Sequence, residues 1–324
     1  VESGMGLTIE TARAQITATA EKILFKDYTY KNAVIDGVLD QKQFDGDFAI
    51  SDENIDFDFK GYWKFDSIPE FDFKVLIGQI NLFPLNLSNR DIKLSGEAII
   101  KGKGVSLANF EGAINGKEFQ IIDENAKEYP VNVFAFNSSI EPNGTRYLSL
   151  ESNQIYGTLE GNLAPGDIWY YLKKIINNKF LFIPNLFKEN LNIEQKYKGN
   201  ALAKFNVNIE NDLGLASLFK TNLNRVEGLR IEGNLAESQD EYELEIYCPN
   251  LQMGTTSFTD IESQLKLNST FSEFNFSTEG IQLGKLKLPA ITTLAIKESD
   301  DIKFGLNIAS TIERNGSNLN MNGT

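Results

Sequence analysis

Three runs, FDGDFAI (44–50), IDFDFKGYWKF (55–65) and FDFKVLI (71–77), decide how this chain folds. In the middle run Ile55, Phe57, Phe59, Gly61, Trp63 and Phe65 alternate with Asp56, Asp58, Lys60, Tyr62 and Lys64. Successive side chains on a β-strand point to opposite faces, so each run has one apolar face and one wet face. Short polar turns join the runs into an antiparallel meander with its large side chains on one side. A slip of one residue would turn every Phe into water, so the register is strongly set.

The same alternation continues along most of the chain. Ile16, Ala18 and Ala20 precede the meander, followed by Ile35, Gly37 and Leu39. Leu94, Gly96, Ala98 and Ile100 follow it, and Phe110, Gly112 and Ile114 lead to Asn115-Gly116, which reads as a hairpin turn. A second Asn-Gly turn is expected at Asn143-Gly144. Later strands carry Phe205, Val207 and Ile209, then Ile302, Phe304, Leu306 and Ile308. One segment breaks the rhythm. After Pro165, Gly166 and Asp167, apolar residues fall at Ile168, Leu172, Ile175 and Ile176, which is helical spacing with a proline suited to the first turn. An apolar loop at 180–187, a polar linker at 188–198 and a short helix at 213–219 complete the reading.

About twenty strands at turn spacing indicate an all-β chain, a count that sandwiches, barrels and solenoids all satisfy. Long strands such as 55–65 with one apolar face suit a wide curved sheet better than a compact sandwich. Turn spacing is too irregular for a β-solenoid.

Composition removes several functions. The chain has 31 Lys and Arg against 45 acidic residues, a net charge of −14, so nucleic acid is not an expected partner. It contains no histidine and one cysteine, Cys248, so no internal disulfide forms. Asp56 and Asp58 sit on the wet face of a strand, and Asp300 and Asp301 fall in a turn. Solvated charge explains both pairs better than glycoside hydrolysis. The run at 56–61 imitates the start of a calcium loop, but Lys60 stands where an oxygen ligand belongs. We therefore expect no catalytic residues, no metal and no cofactor. No run approaches the ~20 apolar residues of a membrane-spanning helix. The pattern opens in mid-strand near residues 7–10 without a recognisable leader, as a fragment of something longer would.

The stretches YTYKNAVIDGVLD (28–40), FDGDFAISDENIDFDFKG (44–61), IKLSGEAIIKGKGVSLANFEG (92–112) and YLSLESNQIYGTLEGNLAPGDIWYYLKKI (147–175) resemble the TamB (translocation and assembly module) family, within the AsmA-like group of bridge-like envelope proteins. Spaced glycines and alternating apolar residues carry the likeness over residues 28–176, and rhythm alone carries it over 199–312. The resemblance implies an all-β, mainly antiparallel curved sheet forming a taco-shaped hydrophobic groove, with one or two short amphipathic helices. The expected segments are 1–163, a first part of the groove; 164–198, helix and linker; and 199–324, a second part continuing the same sheet.

Lining of the groove is then expected from Phe44, Phe48, Ile50, Ile55, Phe57, Phe59, Phe71, Phe73, Val75, Ile77, Leu94, Ile100, Phe205, Val207, Ile209, Ile302, Phe304, Leu306 and Ile308. The implied cargo is phospholipid acyl chains. The implied setting is the periplasm of a Gram-negative envelope, with an inner-membrane tether in the full-length protein and an outer-membrane β-barrel assembly partner. The rival reading is a surface adhesin or glycan-binding β-rich scaffold, equally acidic and cysteine-poor.

Overall fold

In a computed structural model, residues 3–5, 8, 10–179, 197, 199–211, 223–298, 301–309 and 319–323 are described. The apolar segment at 180–187, nearly all of 188–198, the helix expected over 213–219 and Asp300 lie outside them. The described chain is nearly all β, built of long antiparallel strands in an open, curved sheet. It divides into two compact units, Val1–Ser139 with Leu150–Asn153, and Ile140–Ser149 with Gln154–Thr324.

The first unit is a meander in which each strand pairs with the strands before and after it. Its strands are β1 (Ser3–Met5), β2 (Arg13–Phe25), β3 (Tyr28–Asp40), β4 (Gln43–Ser51), β5 (Ile55–Lys64), β6 (Glu70–Asn81), β7 (Lys93–Lys103), β8 (Glu111–Ile122) and β9 (Glu128–Ile140). Lys26 and Asp27 join β2 to β3 with both residues at positive φ, 49° and 60°. That is the backbone of a two-residue hairpin turn whose twist suits the strands it joins. Asn115-Gly116, by contrast, makes no turn. It lies inside β8, where Gly116 pairs with Phe134 of β9 and leaves room for that ring, so packing explains the glycine. Asn143-Gly144 does turn the chain: the Gly144 N–H donates to the Glu141 carbonyl at 2.8 Å.

Asp123 closes the β8–β9 connection. Its carboxylate accepts from the Tyr129 hydroxyl at 2.9 Å and from the Asn125 and Lys127 backbone N–H groups at 2.9 and 3.0 Å. Burial pushes this carboxyl up, but those donors outweigh it and hold the group below its ordinary 3.8. A carboxyl lowered by folding adds stability above its unfolded pKa, and that stability is lost as pH falls through the lower folded value. Thermal melts should therefore show a loss of stability setting in below about pH 4 that is shallower in Asp123→Asn. Parallel pH profiles for parent and variant would rule out this account.

β10 (Arg146–Ser152) is divided between the units, and in the second unit β11 (Ile155–Gly161) leads into α1 (Pro165–Lys179), as the spacing predicts. The sheet then runs β11, β12 (Leu202–Asn211), β13 (Leu223–Ala236), β14 (Glu241–Met253) and β15 (Thr256–Leu267). There the far edge of β15 is shared. Its C-terminal half pairs with β16 (Phe271–Thr278), and its start pairs with β17 (Gly280–Leu283), which turns back as β18 (Leu286–Leu288). β19 (Ala290–Glu298), β20 (Asp301–Ala309) and β21 (Leu319–Gly323) extend the sheet beyond β16. The helix thus belongs to the second unit.

Burial is concentrated in patches. Leu159, Leu163, Ala203, Leu235, Tyr242 and Leu267 form the largest patch beneath Tyr171, Leu172 and Ile175 of α1. Tyr30, Ala33, Ile50 and Ile55 form a second patch around Leu85, and Val226, Cys248 and Ile261 form a third. Cys248 is buried and unreactive by position: burial pushes its thiol up.

Candidate functional site

Register assembles the apolar residues of the first unit into rows that run across the strands. One row reads Ile35, Phe48, Phe59, Val75, Ala98, Gly116 and Phe134. Its neighbour reads Gly37, Gly46, Gly61, Phe73, Ile100, Ile114 and Phe136. Aromatic rings follow one another over this face. Phe59 lies 4.8 Å from Phe73, Phe73 5.7 Å from Phe71, Phe71 6.2 Å from Phe110, and Phe110 5.8 Å from Phe136.

Twelve of the expected lining residues share this face. Ile50, Ile55 and Val75 are buried on it, whereas Phe44, Phe48, Phe57, Phe59, Phe71, Phe73, Ile77, Leu94 and Ile100 are only half-buried. A face sealed against a second layer would bury these rings, since interiors pack at crystal density. Here they keep contact with solvent. Phe110 and Phe136, which complete the aromatic string, and Phe134, which stacks edge-on with Phe119, are not among the expected lining residues, although they continue the same alternation. Nor is Ile80. A bulge at Gly78 shifts the register, so that Ile80 comes opposite Ile55 and rejoins the apolar face.

The opposite face is charged. Lys60 pairs with Asp47 at 3.2 Å, Lys101 with Asp72 at 2.7 Å, and Glu97 holds both Lys74 and Lys117 at 3.1 and 3.2 Å. Exposed pairs of this kind contribute little energy, about 0–1 kcal/mol each, but they keep that face in water and reinforce the register.

In the second unit the row Leu159, Phe205, Gly233, Leu244, Leu265, Phe274, Ala295 and Phe304 spans the sheet. A parallel row holds Val207, Ile231, Ile246, Ser263, Phe276, Thr293 and Leu306. The expected residues on β12 and β20, far apart in sequence, therefore lie on one face. Phe205, Val207, Ile209, Leu306 and Ile308 are half-buried, and Phe304 is exposed. Ile302 lies on β20, but its side chain is outside the described residues. The Phe205 ring sits over Gly233, where a side chain would collide with it. Ser263 and Thr293 make this face less uniformly apolar than that of the first unit.

Among the described residues, each face is covered in part by a segment that is not a strand. In the first unit the connection at 82–92 places Leu85, fully buried, on the patch around Ile50 and Ile55. In the second, α1 lays Tyr171, Leu172 and Ile175 over the ends of β11 to β15. The Lys174 ammonium pairs with Glu237 at 3.6 Å, and the Tyr197 hydroxyl donates to Asp167 in the first turn of the helix. The outward side of α1 carries Trp169 and Tyr170, with Lys173 over both rings at 5.4 and 5.7 Å.

The first unit's face offers apolar area without directed polar groups, and the second unit's face is apolar apart from interruptions such as Ser263 and Thr293. Both therefore suit flexible aliphatic chains, whose burial is non-directional. Among the described residues no group of three or more Cys, Asp or Glu is placed to hold a metal ion. No described helix is long and apolar enough to cross a membrane. No protein-family model, curated protein or solved structure matches this chain.

Proposed function

We propose that this chain is a segment of a periplasm-spanning bridge protein whose apolar faces carry phospholipid acyl chains between the inner and outer membranes, in support of outer-membrane biogenesis. One observation carries the reading: across the first unit Phe44, Phe48, Phe57, Phe59, Phe71 and Phe73 share one continuous face and none of them is buried. An acyl chain gains about 0.8 kcal/mol per methylene on leaving water, so a sixteen-carbon chain moved unshielded costs on the order of 12 kcal/mol. A half-open apolar face removes most of that cost without specific contacts, which leaves the chain free to slide. The charged opposite face keeps the carrier in solution. An inner-membrane tether and an outer-membrane β-barrel assembly partner belong to the same proposal, as does an envelope location.

The test is a photo-crosslinking amino acid placed at Phe59, and separately at Lys60, in cells. Lipid adducts at position 59 and none at position 60 are expected. Equal labelling at both positions, or none at either, would sink the carrier reading.

A further inference from the structure

The connection between β6 and β7 is longer than its task requires. Neighbouring strands in this unit are joined by as little as Lys26-Asp27 or Gln41-Lys42, yet residues 82–92 leave the sheet and fold back over its apolar face. Only Leu85 is driven home, with no accessible surface, against Tyr30, Ala33, Ile50 and Ile55. Its apolar neighbours in the loop stay in water, Phe83 at 54% and Leu87 at 47% exposed. A segment built only to complete a core would bury these as well.

The adjacent β2–β3 turn is also apolar and open, with Leu24 74% and Phe25 57% exposed. The two tips are tied by a hydrogen bond from Asn86 Nδ2 to the Lys26 carbonyl at 3.0 Å. The base of the loop is fixed separately, by Leu82 N–H to the Ile92 carbonyl at 2.9 Å and by the Arg90–Glu124 pair at 2.7 Å. The tip is thus held by one aliphatic side chain and one neutral hydrogen bond, while its base is anchored firmly.

We infer that the 82–92 loop is a displaceable plug, and that the seat under Leu85 is a binding site for the terminal segment of an acyl chain. The inference rests on the carrier reading and adds to it a site and a gate. A leucine side chain has the branched-alkane chemistry of what would replace it, and the seat is lined by aliphatic and aromatic groups. Exposed Leu24, Phe25, Phe83 and Leu87 supply an apolar approach from the rim to the seat.

The experiment uses the whole chain and a long-chain polyene fatty acid whose fluorescence rises in apolar surroundings. Leu85→Ala should bind this probe severalfold more tightly than the parent, because the seat no longer has to be vacated. A cleavable thiol crosslink between cysteines introduced as Lys26→Cys and Asn86→Cys should weaken binding severalfold, with recovery on cleavage. If Leu85→Ala does not fold, the crosslinked protein decides alone. Binding by the parent that neither Leu85→Ala nor the crosslink alters would overturn the plug and leave the carrier standing. No binding of the probe by any form, together with no lipid adduct at position 59, would remove both.

Discussion

Leu235→Asp should unfold the second unit, whereas Phe59→Asp should leave the first unit folded and unable to hold lipid. The two substitutions are alike on paper, each placing a carboxylate on the apolar face of a long strand. Leu235 has no accessible surface and lies under α1, among Ala203, Tyr242 and Leu267. A carboxylate there has no partner and no water. Lost burial and an unpaired buried charge together cost about 4–5 kcal/mol or more, a large share of the roughly 5–15 kcal/mol that holds a typical domain together. Phe59 is half-buried, so a carboxylate in its place keeps part of its hydration. We expect a loss of about 1–2 kcal/mol there, mostly the lost contact with Phe73 and neighbouring apolar area. Phe304→Asp should cost less still, because Phe304 is already exposed. Far-UV circular dichroism and thermal melts read the fold, and lipid co-purification reads the face. Should Phe59→Asp melt as early as Leu235→Asp, the face is a sealed core and the carrier reading is wrong.

Much of this was legible in the sequence because a period of two is hard to imitate. Alternation from Ile55 to Trp63 placed every Phe on the correct face, and the spacing at 165–176 marked the helix. The failures share one cause: the decisive interaction was with a neighbour that the local sequence does not contain. Asn115-Gly116 carries the residue types of a hairpin turn, yet its glycine accommodates Phe134 from the next strand. Lys26-Asp27 makes a hairpin turn without those residue types, because the pairing of β2 with β3 imposes positive φ on both. Ile80 dropped out of the pattern because the bulge at Gly78 resets the alternation. Leu85 sits in NLFPLNLSNRD, which reads as an irregular loop, and nothing within that stretch says which of its apolar residues is buried. The spaced glycines stand out as a motif, but their physical reason appears only once the strands are paired.

That reason sets which glycine the sheet cannot lose. Gly37, Gly46 and Gly61 lie opposite one another on β3, β4 and β5. A Cβ on Gly37 would stand 2.5 Å from the Asp45 carbonyl oxygen and 2.8 Å from the Gly46 Cα, and one on Gly61 would meet the Phe73 backbone at 2.6 Å. Gly61 also has φ 144°, a conformation side chains rarely adopt. The row is therefore a crease in which backbones bend toward each other, and glycine kinks of this kind set the curvature of a sheet. Gly61→Ala adds overpacking of about 1–3 kcal/mol to backbone strain of about 1–3 kcal/mol, and the crowding atoms are backbone, which cannot swing aside. Gly157 on β11 is the control: a methyl added there would stand 3.8 Å from its nearest neighbour, the Asn206 carbonyl oxygen, and its φ lies outside the left-handed region. Gly157→Ala should change stability by less than about 0.5 kcal/mol. Chemical denaturation of both variants decides the matter. A large loss at Gly61 with none at Gly157 means that the crease shapes the apolar face; equal, small losses would mean that the curvature has another origin.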